Sequence, residues 1–221
     1  MIKLFEQYKE YDQIKNWLYD MRIFGWKIND DLTVDVNGDV HIPNRNLTEF
    51  PITFNRVSGN FNCGYNKLTS LKGCPSFVGN NFDCQNNNLT SLEDLNIEFC
   101  KIFSCSDNNL TSLKGCPQII YMNFTCYNNK LTSLEWCPIE IGGMFMCTDN
   151  EITTLKYFPK EISVGPILIG SNPLPKEVLD LYNLELLIKH QDEYGVWNTD
   201  GSFNKGRFDI FLNDYNSEEI K

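Results

Sequence analysis

Nine cysteines in 221 residues are the first candidates for chemistry. A thiolate ligates zinc, attacks an electrophile or exchanges a disulfide, and each task needs a particular neighbour. The spacing supplies none of them. Cys63, Cys74 and Cys84 stand eleven and then ten residues apart, and no Cys-x-x-Cys pair occurs. The two histidines, His41 and His190, have no Ser or Cys nucleophile beside them in the chain, so a nucleophilic triad is not indicated. Asp35, Asn37 and Asp39 have the spacing of the first ligands of a calcium loop, but the following glycine and the distal glutamate are missing. Gly201 to Arg207 lacks the lysine and the preceding strand of a phosphate loop. The reading is of a non-enzyme: no catalytic residue, no metal and no cofactor, with the cysteines as small apolar core residues. Cys100 alone departs from the spacing of the others and is expected at the surface.

The elements that place these residues are written in a repeat. Phe61-Asn-Cys63-Gly-Tyr-Asn66-Lys-Leu68-Thr-Ser-Leu71 recurs from Phe82, Phe103 and Phe124, and more loosely from Phe145. Leu47, Leu68, Leu89, Leu110, Leu131 and Ile152 follow one another at 21 residues. A period of that length marks a solenoid, in which each repeat stacks on its neighbours and none buries its apolar face alone. Phe61 and Cys63, with their equivalents, face one side of a short strand, since strand side chains alternate. Leu68 and Leu71 begin two more inward rows. Val57, Val78, Phe99, Ile120, Ile141 and Ile162 form another, and Cys74, Leu95, Cys116, Cys137 and Phe158 a sixth. The row Asn66, Asn87, Asn108, Asn129 and Asn150 is polar, so its amides are expected to bond backbone groups of their own and the next turn.

The flanks read as caps, because an open end exposes an apolar face and an unpaired strand edge. Residues 1–39 are expected to form a helix over 2–21, with Leu4, Tyr8, Tyr11, Ile14, Leu18 and Met21 on its apolar stripe, and a hairpin turning at Asn37-Gly38. The solenoid is expected over 40–174, ending in Ile167-Leu-Ile169-Gly-Ser-Asn172. Residues 175–221 are expected to be an acidic helical cap. One helix is read from Pro175 through Glu177 to Lys189, and a second carries Phe208, Phe211, Leu212 and Tyr215.

Phe-x-Cys-x-x-Asn-x-Leu resembles the constant half of a leucine-rich repeat, with Phe and Cys in place of two leucines. The segment Leu-Thr-Ser-Leu-x-x-Cys-Pro resembles the short repeats of bacterial effectors. Leu68-Thr-Ser-Leu-Lys-Gly-Cys-Pro-Ser-Phe-Val-Gly-Asn-Asn-Phe-Asp-Cys84 is most similar to repeats of tailed-phage and giant-virus proteins. The resemblance covers about residues 32–174. It implies an α/β leucine-rich repeat solenoid, a curved parallel sheet of about six or seven turns, and a phage-encoded protein that binds a host protein. Asp94-Leu-Asn96 departs from the pattern where other copies have Gly-Cys-Pro, and no ligase domain of the kind some effector relatives carry follows residue 175.

Function is expected where the repeat varies. One row of the concave face reads Asn62, Asp83, Ser104, Thr125 and Met146, flanked by Gln85 and Tyr127, by Tyr65, Asp107 and Asp149, and by Ile102 and Met144. Tyr and Met are favoured at contact surfaces. The candidate partner-binding set is therefore Tyr65, Asp83, Gln85, Ile102, Asp107, Met122, Tyr127, Met144, Met146 and Asp149. The formal charge of −10 argues against direct nucleic-acid binding, which needs clustered Lys and Arg. Ten acidic residues against four basic ones lie between 177 and 221, among them Asp192, Glu193, Asp200, Asp209, Asp214, Glu218 and Glu219. An acidic decoy acting through that region is therefore the rival reading, with a structural virion component as a third. The N-terminus has no signal-peptide pattern, and no apolar run approaches the roughly 18 residues of a membrane span. That implies a cytoplasmic protein (host cytoplasm if viral) without membrane contact, and it leaves self-association open.

Overall fold

The computed structural model describes residues 2–159, 161–162 and 165–215. The chain winds as a β-solenoid whose turns are in register at 21 residues. One wall is a seven-stranded parallel sheet of β3 (Val40–His41), β5 (Phe61–Asn62), β7 (Phe82–Asp83), β9 (Phe103–Ser104), β11 (Phe124–Thr125), β13 (Phe145–Met146) and β15 (Ile167–Leu168). The opposite wall holds β2 (Val34–Val36), β4 (Phe54–Val57) and β6 (Phe77–Val78), with β1 (Trp26–Ile28) antiparallel on β2. It continues as a separate sheet of β8 (Phe99–Cys100), β10 (Ile119–Ile120), β12 (Glu140–Ile141) and β14 (Glu161–Ile162). Among the described residues, helices lie outside the turns: α1 (Ile2–Asp20) before them, and α2 (Lys176–Leu179), α3 (Leu184–Tyr194) and α4 (Lys205–Asp214) after. The α/β expectation therefore holds at the ends of the molecule, and the turns themselves are strand and loop.

In the seven-stranded wall the first residue of each pair points inward. Phe61, Phe82, Phe103, Phe124 and Phe145 are fully buried in one column, with successive ring centroids 5.3, 5.6, 5.8 and 5.4 Å apart. Cys63, Cys84, Cys105, Cys126 and Cys147 form the buried column two residues on, all as free thiols. The asparagine ladder closes the strand end. Asn108 Nδ2 donates to the carbonyls of Cys105 and Ser106 in its own turn and of Cys84 in the preceding one, all at 3.1 Å. Its Oδ1 accepts the Leu89 N–H at 3.0 Å. Asn87, Asn129 and Asn150 repeat the set. The partners thus lie in the preceding turn, not the next one. The cysteine N–H groups point forward, as in Cys63 N–H to the Asp83 carbonyl at 2.9 Å, so their carbonyls also face the following turn and meet its asparagine.

The second wall contains a slip. Val78 should be followed in its column by Phe99, but Cys100 pairs with Ile120 and Phe99 with Ile119. Cys100 is 1% exposed and Phe99 36%, so both expectations for this turn are reversed. Without the Cys-Pro of the other copies, Ile97 occupies the buried place that Pro117 holds in the next turn, and Asn96 becomes an extra residue. The corner then returns it: two residues separate Cys100 from Phe103, against three between Ile120 and Phe124. The period survives, while β6 and β8 fall in different sheets.

At the N-terminal end Ile14 and Leu18 of α1 are buried, and the Trp17 ring meets Phe54 edge-on at 6.2 Å. Tyr11 is exposed instead of joining the stripe, and the side chains of Leu4 and Tyr8 lie outside the described residues. Asn37-Gly38 does not close a hairpin. β2 belongs to the second wall and β3 to the first, so this turn is the corner between walls, and Gly59 N–H donates to the Gly38 carbonyl at 2.9 Å as the next turn stacks on it. The antiparallel pair is β1 with β2, closed by Asn29 to Thr33. At the C-terminal end the continuous helix expected to Lys189 is broken after Leu179. Asn183 caps a new start by accepting the Leu186 N–H at 3.1 Å. Phe208 and Phe211 of α4 are buried in the same apolar cluster that begins at Ile14. Among the described residues no helix is long and apolar enough to cross a membrane.

Candidate interaction face

The outward residues of the seven-stranded wall form a register row: His41, Asn62, Asp83, Ser104, Thr125, Met146 and Leu168. It is polar from His41 to Thr125 and apolar at Met146 and Leu168. A groove of about 350 Å³ lies along the polar half, lined by His41, Asn60, Asn62, Asp83, Ile102 and Ser104 among others. Met144 and Met146 flank Phe145 on the apolar half. Met122 is not on this face. It lies in the corner between β10 and β11, exposed beside Tyr121.

A tight group occupies the strand ends of the central turns. Asp83 accepts Asn62 Nδ2 at 3.0 Å, the Gln85 N–H at 3.0 Å and Gln85 Nε2 at 3.2 Å. Burial nevertheless pushes its carboxyl above the ordinary value of 3.8, opposed by the Gln85 hydrogen bonds and the attraction of His41. The Tyr127 phenol lies near the Asp107 carboxylate, Tyr65 and Asp83. Burial and these neighbours raise its pKa. Asp107 accepts Asn128 Nδ2 at 2.7 Å. Ser106 holds the same place as Tyr127 one turn earlier. That serine is fully buried, and its Oγ has no hydrogen-bond partner.

Backbone conformation sorts the variable positions further. Tyr65, Asn86, Asp107, Asn128 and Asp149 all have φ between 52° and 55°, in the left-handed region. Asn and Asp tolerate that region and most other side chains do not. The identities of Asp107 and Asp149 therefore have a local cause, and Asp149 shows no tie to the central group. Tyr65 is the exception, a bulky side chain held where the repeat places Asn or Asp, and half-exposed.

Other residues escaped the sequence reading. Leu168 extends the apolar half of the face, and the match of Ile167-Leu-Ile169 to Phe145-Met-Cys147 is the signal for it. On the second wall Arg56 sits 3.7 Å over the Phe77 ring, Phe77 meets Phe99 at 6.2 Å, and Phe99 meets Tyr121 at 5.9 Å. Trp136 and Tyr157 are 52% and 53% exposed with φ of 68° and 69°. They hold the place that Gly73 and Gly115 hold at φ of 92° and 94°, so the pointer was an aromatic residue in a glycine row.

The remaining chemistry is quiet. Burial drives the Cys100 and Cys147 thiols up to about 12 and holds Cys63, Cys84 and Cys126 well above the ordinary range, in the unreactive protonated form. Asp35, Asn37 and Asp39 accept Asn55 Nδ2, Ser58 Oγ and the Asn60 N–H, so they tie successive turns together. In the acidic C-terminal region Asp200 accepts the Ser202 N–H and hydroxyl, Asp209 binds Lys205, Asp214 accepts the Tyr194 hydroxyl, and Glu193 meets His190. Glu218 and Glu219 lie outside the described residues. Among the described residues no three His, Cys, Asp or Glu side chains converge as a metal site would require. No family model, curated protein or solved structure matches the chain.

Proposed function

We propose that the chain is a non-enzymatic, leucine-rich-repeat-type binding module, encoded by a phage, that occludes a host protein through the outer face of the seven-stranded wall. Counter-defence in the host cytoplasm is the role that fits such steric blocking. In this reading α1 with the β1–β2 pair, and α2 to α4, cap the stack. Both sets bury apolar side chains against terminal turns, which an open solenoid requires.

One observation carries the reading. The inward rows keep their residue type from turn to turn, while the outward rows change from His, Asn and Asp to Met and Leu. A stack needs only its inward rows, so the variation outside serves something other than folding. Tyr127→Lys with Met146→Lys places two charges on this face without touching the inward columns. The double variant is expected to lose at least about tenfold in affinity for the partner captured from host lysate, with an unchanged unfolding midpoint. Full affinity in the variant would remove the face from the argument. Binding that survives the variant but falls steeply with salt would move the interface to the acidic C-terminal region. Presence in purified particles would make the chain a virion component.

A further inference from the structure

The seven-stranded wall ends at β15 with its hydrogen bonding incomplete. The Pro166 and Leu168 carbonyls accept the Phe145 and Cys147 N–H groups at 3.1 and 2.9 Å, so these residues face β13. Alternate residues of a strand face opposite neighbours, and the N–H and carbonyl of Ile167 and the N–H groups of Ile169 and Ser171 therefore point off the end of the wall. Their equivalents one turn earlier are the Phe145, Cys147 and Asp149 N–H groups, and each of those donates to the following turn. Past β15 no strand follows in the sheet, and among the described residues nothing accepts from these three donors. The C-terminal helices are anchored elsewhere, on the loop side of the last full turn. Gln191 Nε2 donates to the Leu155 carbonyl at 3.1 Å, and Lys156 Nζ to the Thr199 carbonyl at 2.7 Å. The side chains along the open edge are apolar. Leu168 is 37% exposed, and Ile167 is only partly buried where Phe145 beside it is fully so. Edge strands are ordinarily guarded by charges, by Pro or by a covering element, because free N–H and C=O groups template pairing with another chain. At the opposite end of the wall Asp39 and His41 stand along β3, and the inward Val40 and Ile42 are fully buried. β15 has no such guard.

We propose that the free edge of β15 is a docking site for an extended segment of a second protein, which adds to the wall as one further strand. The segment supplies what the edge lacks: carbonyls for the Ile167, Ile169 and Ser171 N–H groups, and an N–H for the Ile167 carbonyl. Its side chains alternate, with apolar ones on the side that continues Ile167 and Ile169 inward. Its ends are basic. Residues 177–221 follow this strand directly and carry ten acidic residues against four basic ones. The same charge disfavours a second copy of this chain as the occupant, since pairing β15 with β15 brings two acidic regions together. This edge is separate from the outer face, and an added strand here needs nothing from that face.

The test uses the full isotope-labelled chain and a capped peptide, Lys-Val-Thr-Val-Thr-Val-Lys. In the free chain the Ile167, Ile169 and Ser171 amides should exchange with solvent as open amides do, while those of Phe145 and Cys147 are protected. Equal protection would mean that the edge is covered and would overturn the site. The peptide should bind saturably, with resonance shifts and new protection centred on the three open amides. A fully N-methylated copy keeps the side chains but cannot pair, and should not bind. The same sequence with Glu at both ends should bind several-fold more weakly. Ile167→Pro removes an outward N–H that the wall does not use, and should weaken the peptide by about tenfold. Leu168→Lys leaves every backbone group in place and sets a like charge beside the peptide, so it should also weaken binding. Undiminished binding of the N-methylated copy, or parental affinity in both variants, would overturn the added strand. Dimers of the free chain that protect these amides would overturn the assignment to a basic partner and give the edge to a second copy.

Discussion

The two walls of the solenoid are built from the same 21-residue repeat and obey it differently. The seven-stranded wall is unbroken from β3 to β15, whereas the opposite wall divides between β6 and β8. The first is fixed by three kinds of contact at once: the phenylalanine column, the cysteine column and the asparagine ladder. A one-residue shift there would turn Phe outward and pull the asparagine off its carbonyls. From β6 onward the second wall has one inward residue per strand, such as Val78 or Ile120, and among the described residues no asparagine ladder to the backbone. It absorbs an extra residue at Asn96 by trading Phe99 for Cys100. Redundant register therefore tells which wall the repeat defends.

The largest test of that difference uses two phenylalanines four residues apart. Phe103→Ala opens the buried column and should destabilise the fold by about 3–5 kcal/mol. Phe99→Ala removes an exposed ring whose contacts are Phe77 and Tyr121, and should cost about 1 kcal/mol. Urea unfolding of both variants measures the gap. Similar losses would mean that Phe99 is in the core after all and that the slip is not real.

The ladder comes next in size. Asn108→Ala leaves the carbonyls of Cys84, Cys105 and Ser106 and the Leu89 N–H without this partner, at a cost of about 1–3 kcal/mol. Asn108→Asp keeps the acceptor but loses all three donor contacts, so it should recover little. Full recovery by aspartate would assign the stabilisation to the Leu89 bond alone.

Much of this architecture could be read directly from residue types. Inward rows repeat because burial admits few alternatives, and twenty-one-residue spacing exposes them. The slip was hidden because Phe99 keeps the period in sequence while losing its place in space, and only the missing Cys-Pro at 95–96 hinted at it. Asn37-Gly38 misled for a related reason: a residue pair suited to a hairpin also suits a corner between sheets, and local chemistry does not distinguish them. On the outer face, Tyr65, Asp83, Gln85, Asp107 and Tyr127 were chosen one by one as variable positions. The bonds that tie Asp83 to Asn62 and Gln85 depend on side-chain rotamers, which no spacing encodes. Trp136 and Tyr157 stand outside the strand rows, at a place where Gly73 and Gly115 occur in other copies, so the variable rows do not include them.

A smaller effect, of opposite sign, separates positions kept for the fold from positions kept for the face. Tyr65 pays the strain of a left-handed backbone, and Tyr65→Asn should raise stability by about 1 kcal/mol. The same change should weaken partner binding. A destabilised Tyr65→Asn variant would show that the ring supports the stack and is not held there for contact.

The smallest effect concerns Asp83, and its sign follows from burial. Its carboxyl is raised above 3.8 in the folded chain, so the native state holds this proton more tightly than the unfolded one. Stability from that preference is complete below the unfolded value and is lost as the pH rises through the folded one. At neutral pH the ionised group therefore weighs against folding, even with Asn62 and Gln85 bonded to it and His41 nearby. Asp83→Asn should accordingly be more stable than the parent at pH 7, and the difference should close as the pH falls below the ordinary carboxylate range. Paired unfolding curves across that window decide it. A variant less stable than the parent at pH 7 would mean that the carboxylate serves the wall. The expected gain would set Asp83 beside Tyr65, as a residue whose cost to the regular sheet makes sense only through what the face binds.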